Sequence, residues 1–166
     1  YADVEAQQML REEEISWAMF ERAFFERALG RVKRSLARSM QSLRPVTHIG
    51  LGKARIDRIA SNRRAVLPDG EVTFGRGSTT RDTAVRNAPE GTVDPWLRML
   101  SFWHDGQPLA AVSSYATHPM SYYGRGGVSA DFVGLARKWY QQNNPEVFQI
   151  YLTGCSGDVT GGKYND

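Results

Sequence analysis

Residues 97–116, LRMLSFWHDGQPLAAVSSYA, contain two apolar runs separated by a polar turn. The runs at 97–103 and 109–116 are rich in aliphatic and aromatic residues, which favour β-strands. Asp105-Gly106 between such runs is a strong β-hairpin signal. The stretch therefore predicts an antiparallel hairpin that lies within a sheet.

Segments on both sides of the hairpin complete the predicted sheet and its packing helix. Residues 46–59 alternate loosely and are rich in Val, Ile and Leu, and residues 148–153 form another apolar run, so both predict strands. Residues 130–142 predict a short helix, for which Ser129 and Asp131 offer N-terminal capping groups. Together these elements predict a mixed α/β fold, with a hairpin in the sheet and helices packed on it.

The segment 61–95 lies between the first strand and the hairpin, and it is polar and rich in Gly and Pro. It predicts mainly loop, with a short strand at 72–74. Because so long a loop is uncommon in a compact domain, we expect it to serve a function.

The beginning of the chain, residues 3–41, has the pattern of one long amphipathic helix. Apolar residues spaced by three or four positions form a single stripe, which comprises Phe25, Leu29, Val32, Leu36 and Met40. Pro45 ends the pattern, because proline disfavours helix in the residue before it. The chain therefore divides into a long helix at 1–44 and an α/β portion at 45–166.

The 166 residues carry a net charge of +3, and the basic residues are concentrated at 22–44. An acidic first half and a basic second half suit the dipole of the predicted helix. The basic cluster could also contact anionic lipid or nucleic acid. After Phe25 it has no interleaved aromatic residue of the kind that single-strand binding surfaces use, so we favour the helix face and predict no nucleic-acid partner.

Composition also limits the kinds of site that the chain can form. No apolar run approaches the ~20 residues that a bilayer-spanning helix requires. Cys155 is the only cysteine, so neither an internal disulfide nor a cysteine-based zinc cluster can form. Any metal site must therefore use histidine and carboxylate ligands.

Three polar clusters follow predicted strands, where α/β proteins commonly place their sites. They are Ser61-Asn62-Arg63-Arg64, Thr117-His118-Pro119-Met120 and Ser156-Gly157-Asp158-Val159-Thr160. Neutral imidazole is a common zinc ligand, and Pro119 fixes the backbone beside His118, so this histidine is a candidate ligand. The commoner alternative, a histidine hydrogen-bonded to backbone at a strand end, stays open.

Two glycine-rich stretches depart from known catalytic patterns. Gly154-Cys155-Ser156-Gly157-Asp158 is not a nucleophile elbow, because Asp158 stands where that motif needs glycine. Gly161-Gly162-Lys163 is not a phosphate loop, because no Ser or Thr follows the lysine.

Arg63 could bind an anion or polarise a carbonyl, although surface arginines without such a role are commoner.

Taken in order, five segments resemble the neutral ceramidase family of the neutral/alkaline, non-lysosomal type. These are Ile59-Ala60-Ser61-Asn62-Arg63-Arg64, Val93-Asp94-Pro95 with the strand after it, Tyr115-Ala116-Thr117-His118-Pro119, Val128-Ser129-Ala130-Asp131-Phe132 and Gly157-Asp158-Val159-Thr160. The similarity covers residues 45–166, and the predicted helix fits the region before the first segment. The resemblance implies an interior part of an N-terminal catalytic domain.

The resemblance implies a zinc site built from two histidines, a glutamate and a tyrosine. Only His118 matches a ligand position here; the first histidine would lie upstream of the chain, and the glutamate and tyrosine downstream. The resemblance also implies that Arg63 and Thr160 are catalytic. It implies substrate binding by three further residues, which are Asn62, Asp131 and Asp158.

The implied activity is zinc-dependent hydrolysis of the N-acyl amide bond of ceramide or a related N-acyl lipid, with metal-activated water as the nucleophile. The resemblance also implies a secreted, periplasmic or cell-surface location, and an N-acyl lipid substrate would allow peripheral membrane contact. We expect the 166-residue chain alone to be inactive. Thr160 stands where the family has serine, and the segment from His118 to Thr160 is shorter than in well-known members. Two alternatives follow: a zinc hydrolase of this fold acting on a non-ceramide amide or ester, and a non-catalytic binding domain.

Overall fold

The computed structural model describes residues 3–15, 21–124 and 126–165. The chain divides into two compact units, Tyr1–Pro45 and Val46–Asp166. In chain order the elements are α1 (Val4–Glu12), α2 (Arg22–Ser39), β1 (His48–Arg55), β2 (Ser61–Asn62), β3 (Ala65–Val66), β4 (Val72–Thr73), α3 (Thr83–Asn87), β5 (Trp96–His104), β6 (Gln107–Tyr115), α4 (Asp131–Asn143), β7 (Phe148–Thr153) and β8 (Val159–Thr160).

The described part of the first unit contains two helices, each with an acidic cap. Asp3 caps α1, and its carboxylate accepts a hydrogen bond from Ala6 N at 2.9 Å. Glu21 caps α2, and its carboxylate accepts from Ala23 N at 3.0 Å. A negative charge at the start of a helix also interacts favourably with the helix dipole.

The prediction of one long helix over 3–41 is wrong, because α1 ends at Glu12. Glu14 adopts a left-handed backbone with φ of 55°, which a continuing helix excludes. The acidic run at 12–14 also opposes the dipole at the end of α1. Residues 16–20 of the predicted helix lie outside the described residues. The predicted stripe is largely exposed on α2, at 62% for Val32 and 63% for Leu36.

A four-stranded sheet in the order β1-β5-β6-β7 is the frame of the second unit. β5 pairs antiparallel with β1 and with β6, whereas β7 is parallel to β6. The predicted hairpin is confirmed: Asp105 and Gly106 have φ values of 44° and 84°, the positive pair that a tight type I′ turn requires. α4 connects β6 to β7 and packs on β7. The predicted mixed α/β fold is confirmed.

Short elements interrupt the segment at 61–95, which is mainly loop as predicted. β2 pairs with β8, β3 pairs with β4, and α3 adds one helical turn. The short strand predicted at 72–74 corresponds to β4. Two-residue strands are too short to show a hydrophobic period, which is why the sequence does not predict β2 or β3.

The start of α4 differs from the prediction, because its N-cap is Ala130, which makes no side-chain capping hydrogen bond. Ser129 Oγ instead accepts from Asp131 N at 3.0 Å, and the Asp131 carboxylate accepts from Phe132 N at 2.8 Å. Both predicted capping residues therefore order the approach to the helix without occupying the cap position.

Two small apolar clusters support the second unit. The first consists of Ala60, Tyr115 and Val159, which belong to the regions of β2, β6 and β8. The second consists of Ala65, Val85 and Ala88. The first cluster fixes the strand ends that carry the predicted polar clusters. In the part of the chain that the structure describes, no helix is long and apolar enough to cross a bilayer.

Candidate functional site

The pairing of β2 with β8 brings two of the predicted polar clusters together, with Ser61 opposite Thr160 and Asn62 opposite Val159. The third cluster joins them through His118, whose backbone N donates to Val159 O at 2.9 Å. His118 also forms an isolated parallel bridge with Thr160. The structure therefore gathers these predicted site residues where β2, β6 and β8 end.

One hydrogen bond fixes the ring of His118: its Nδ1 lies 2.7 Å from Ser156 O. A carbonyl oxygen only accepts hydrogen bonds, so Nδ1 carries a proton, and in the neutral form of the ring the lone pair is on Nε2. Nε2 has no hydrogen-bond partner among the described residues, and the side chain is partly buried. An imidazole held by Nδ1–H···O=C in this way is prepared to bind a metal through Nε2. His118 thus makes the backbone hydrogen bond that was the alternative to a ligand role, but that bond uses Nδ1 and leaves Nε2 able to bind a metal.

The Asp158 carboxylate accepts hydrogen bonds from two side chains of the segment Ser61-Asn62-Arg63-Arg64. Asn62 Nδ2 donates to Asp158 Oδ2 at 2.9 Å, and Arg64 Nε donates to Asp158 Oδ1 at 3.0 Å. The Asp158 carbonyl also accepts from Arg63 N at 2.7 Å. These three bonds tie the β2 region to the turn before β8. The side chains of Asn62 and Asp158 are therefore hydrogen-bonded to each other, and the Asp158 carbonyl holds the backbone of Arg63.

Arg63 is the arginine of this cluster whose side chain is not engaged. Its guanidinium makes no hydrogen bond or ion pair with the described residues, although its backbone N and O are both bonded. The side chain is partly buried. A positioned backbone with an uncommitted planar donor suits the binding of a carbonyl oxygen or an anion.

Thr160 is completely buried, with 0% of its surface exposed. Its Oγ1 donates to Gly77 O at 2.8 Å and accepts from Gly162 N at 3.2 Å. The backbone O of Thr160 accepts from Ser61 Oγ at 3.3 Å. In the described structure the hydroxyl fixes the loop at Gly77 against β8, which is a positioning role.

Asp131 makes its contacts in a different place from Asn62 and Asp158. It is buried, its φ is 54°, and its Oδ2 accepts from Tyr122 N at 3.1 Å. Burial opposes ionisation of the carboxyl, but hydrogen bonds from backbone N–H groups, Phe132 first among them, outweigh it and lower the pKa of Asp131. The carboxylate orders the loop that follows His118.

Arg76 is a buried residue of this region that the sequence does not single out. Its side chain is 0% exposed, and its Nε and Nη1 donate to Val85 O at 2.9 Å and Pro89 O at 2.6 Å. Its Nη2 donates to Ala88 O. Burial lowers the pKa of Arg76. The sequence signal that could have pointed to Arg76 is the pair of glycines on either side of it, Gly75 and Gly77. The structure explains Gly75, because a Cβ there would lie 2.7 Å from a Val85 methyl.

A complete metal site is not present in residues 3–15, 21–124 and 126–165, where no group of three or more His, Cys, Asp and Glu side chains could hold an ion. Two histidines lie at the turn end of the β5–β6 hairpin: His48 stacks on Trp103 at 5.8 Å, and His104 Nε2 lies 3.6 Å from an Asp105 carboxylate oxygen. His118, by its tautomer and its uncommitted Nε2, fits one zinc ligand.

The arrangement defines a class of architecture before it defines an activity. A mixed four-stranded sheet carries a parallel β6-α4-β7 connection, with a histidine at the end of β6 beside the β2–β8 pair. These features define a mixed α/β architecture, which is the fold class that the sequence predicts.

The comparison with known proteins rests on solved structures, because no family model and no curated protein matches the chain. The crystal structure of neutral ceramidase from Pseudomonas aeruginosa is 20% identical over 76% of this chain, with a TM-score of 0.54. A structure described as ceramidase complexed with C2 is 18% identical over 68% of this chain, with a TM-score of 0.48. The chain spans 19% and 16% of the lengths of those two chains, respectively. The first comparison shows a shared fold and confirms the fold that the resemblance implies.

Proposed function

We propose that this protein is a member of the neutral ceramidase family that hydrolyses the N-acyl amide bond of ceramide or a related N-acyl lipid with the help of zinc. The observation that carries the proposal is His118, which is fixed through Nδ1 and keeps Nε2 uncommitted at the end of β6. The fold shared with a neutral ceramidase and the ordered motifs around His118 support it.

The residues of the chain divide the work between metal binding and carbonyl binding. His118 would hold zinc through Nε2, where the metal supplies Lewis-acid polarisation of the amide and ionisation of water near neutral pH. Arg63 donates hydrogen bonds to the acyl oxygen as negative charge develops on it. Asp158 keeps the Arg63 backbone in place through the 2.7 Å bond from Arg63 N to its carbonyl.

The test is fatty-acid release from a short-chain ceramide by the protein encoded by the complete open reading frame, with and without a zinc chelator. We expect chelator-sensitive release, and a loss of at least ~100-fold for His118→Ala, because a direct metal ligand is removed. His48→Ala is the matched control, since His48 stacks on Trp103 in the hairpin sheet. Equal activity and zinc content in His118→Ala and the unmutated protein would overturn the proposal.

A second candidate, hydrolysis of a different amide or ester, is favoured by the environment of Thr160. The resemblance places a serine at this position, and here a threonine hydroxyl is buried against Gly77 and Gly162. The extra methyl restricts the side-chain rotamer and changes the shape of the wall behind the site. Zinc-loaded protein that releases no fatty acid from ceramides but cleaves another amide or ester in a substrate panel would select this candidate.

A further inference from the structure

Cationic side chains that are not among the residues assigned to catalysis converge on the C-terminal end of α3. Arg76 is buried there and donates to three backbone carbonyls, those of Val85, Ala88 and Pro89. Lys163 Nζ donates to Arg86 O at 2.7 Å and Ala88 O at 2.6 Å. Carbonyl dipoles at a helix end attract cations, but they carry no net charge that would neutralise them.

The positive charge of this region exceeds the negative charge among the described residues. Arg58, Arg76 and Lys163 form no ion pair with any described residue, and Glu90, the carboxylate beside them, accepts a hydrogen bond from Tyr164 OH. Burial, followed by the neighbouring Arg76 charge, lowers the pKa of Lys163. The region therefore retains a positive field, which attracts anions.

A depression of about 340 Å³ opens between these groups and is lined by Arg58, Arg86, Asn87, Lys163 and Tyr164. We call it the basic depression. The Arg58 guanidinium lies 5.8 Å from the centre of the Tyr164 ring and makes no hydrogen bond to a described residue. Arg58 adopts φ of 60°, a backbone region that non-glycine residues rarely occupy. The aromatic ring thus holds a planar donor whose N–H groups are uncommitted.

We propose that the basic depression binds a phosphate group. A guanidinium fork and an ammonium point charge are the two cations that proteins use for phosphate, and Arg58 and Lys163 supply one of each. Lys163 uses two of its three N–H donors on carbonyls and keeps one, and the amide of Asn87 adds a neutral donor. None of the lining residues has a role in the proposed hydrolysis, so the phosphate proposal does not rest on it, although Lys163 N donates to Ser61 Oγ at 3.3 Å.

The experiment is a calorimetric titration of the protein encoded by the complete open reading frame with inorganic phosphate, at constant ionic strength set by chloride. We expect saturable binding with a Kd of about 1 mM or tighter, and about tenfold weaker binding by Arg58→Gln. Arg55→Gln is the matched control, since Arg55 is an exposed arginine three positions away that pairs with Asp57 at 2.8 Å. It removes the same charge and should bind phosphate as the unmutated protein does.

Two further ligands distinguish a soluble phosphate monoester from a lipid headgroup as the source of the phosphate. Glycerol phosphate probes a soluble monoester, and phosphatidylcholine vesicles with added phosphatidic acid probe a lipid headgroup. Binding of either ligand that inorganic phosphate displaces, and that Arg58→Gln weakens, supports the proposal and identifies the source. No binding of any of the three ligands, or equal weakening by Arg58→Gln and Arg55→Gln, overturns it and leaves the cations as caps of α3.

Discussion

At the scale of single residues, the candidate site depends on a close approach that leaves no room for a side chain at Gly91. Gly91 has φ of 85°, and a Cβ there would overlap the Asn62 amide oxygen. Gly91→Ala should therefore displace Asn62 from Asp158 as well as strain the backbone. We expect a loss of about 2–4 kcal/mol in the free energy of unfolding, measured by urea denaturation.

Gly70→Ala separates the two causes of the expected loss in stability, which are backbone strain and the clash with Asn62. Gly70 has nearly the same φ, 87°, but a Cβ there would meet nothing within 4 Å. This variant should lose only the backbone term, about 1–2 kcal/mol. If both variants lost the same free energy, the contact between Gly91 and Asn62 would have no measurable role in stability.

Tyr164 provides a titration signal at the same scale. Burial, with the hydrogen bond to Glu90 next in importance, raises its pKa to about 12. The folded protein therefore binds the phenolic proton more tightly than the unfolded chain does. This stabilisation is fully present below pH ~10, the ordinary pKa of tyrosine, and it is lost as pH rises through the raised pKa. Ultraviolet absorbance of tyrosinate should show a late step that Tyr164→Phe removes and Glu90→Gln shifts to lower pH. A late step unchanged in Tyr164→Phe would belong to another tyrosine.

At the scale of elements, sequence pattern predicts the longer strands and the helix of the second unit, but it merges α1 and α2 into one helix and misses strands defined only by their partners. The hairpin, β1, β7 and α4 follow from runs of strand or helix character, and the structure contains all four. β2 and β8 exist because they pair with each other, across many intervening residues. Their meeting point, which carries the candidate site, is a tertiary fact that no local window contains. Within the site, the resemblance could single out His118, but the buried Arg76 depends on carbonyls of another segment.

The stability of the loop after His118 should depend on pH, because the Asp131 carboxylate at the start of α4 accepts a hydrogen bond from Tyr122 N in that loop. Hydrogen bonds from backbone N–H groups outweigh burial and lower the pKa of Asp131. The stabilisation by this carboxylate is therefore present above its ordinary pKa of ~3.9 and is lost as pH falls through the lowered folded-state value. Asp131→Asn should lower the free energy of unfolding by about 1–2 kcal/mol at pH 7, because the amide has one oxygen and cannot accept both hydrogen bonds. The loss should become progressively smaller in acid, where the carboxylate of the unmutated protein is protonated. Chemical denaturation across this pH range measures the difference.

Asp105→Asn is the matched control for that measurement. Asp105 and Asp131 both adopt positive φ, 44° and 54°, which asparagine also tolerates, so backbone strain is similar in the two substitutions. Asp105 is exposed in the hairpin turn. A similar loss and a similar pH dependence in both variants would show that the Asp131 carboxylate has no special role.

At the scale of the whole molecule, one histidine with the geometry of a metal ligand lies in a chain that spans 19% of the neutral ceramidase whose fold it shares. Catalytic zinc sites use three or more protein ligands and keep a position for water or substrate. The described residues bring no such group together. Metal retention is therefore a property that depends on how many ligands surround His118 in the protein.

We expect the 166-residue chain alone to lose zinc on dialysis, since a single imidazole holds the ion weakly. The protein encoded by the complete open reading frame should keep about one zinc per chain, because the resemblance implies a full set of ligands. Elemental analysis after dialysis measures both. His118→Ala in that protein should lower zinc content, whereas His48→Ala should leave it unchanged, because His48 stacks on Trp103 in the hairpin sheet. Stoichiometric zinc retained by the 166-residue chain would mean that it holds a complete site of its own. Loss of zinc from every form would remove the metal from the proposed mechanism and favour a binding domain without catalysis.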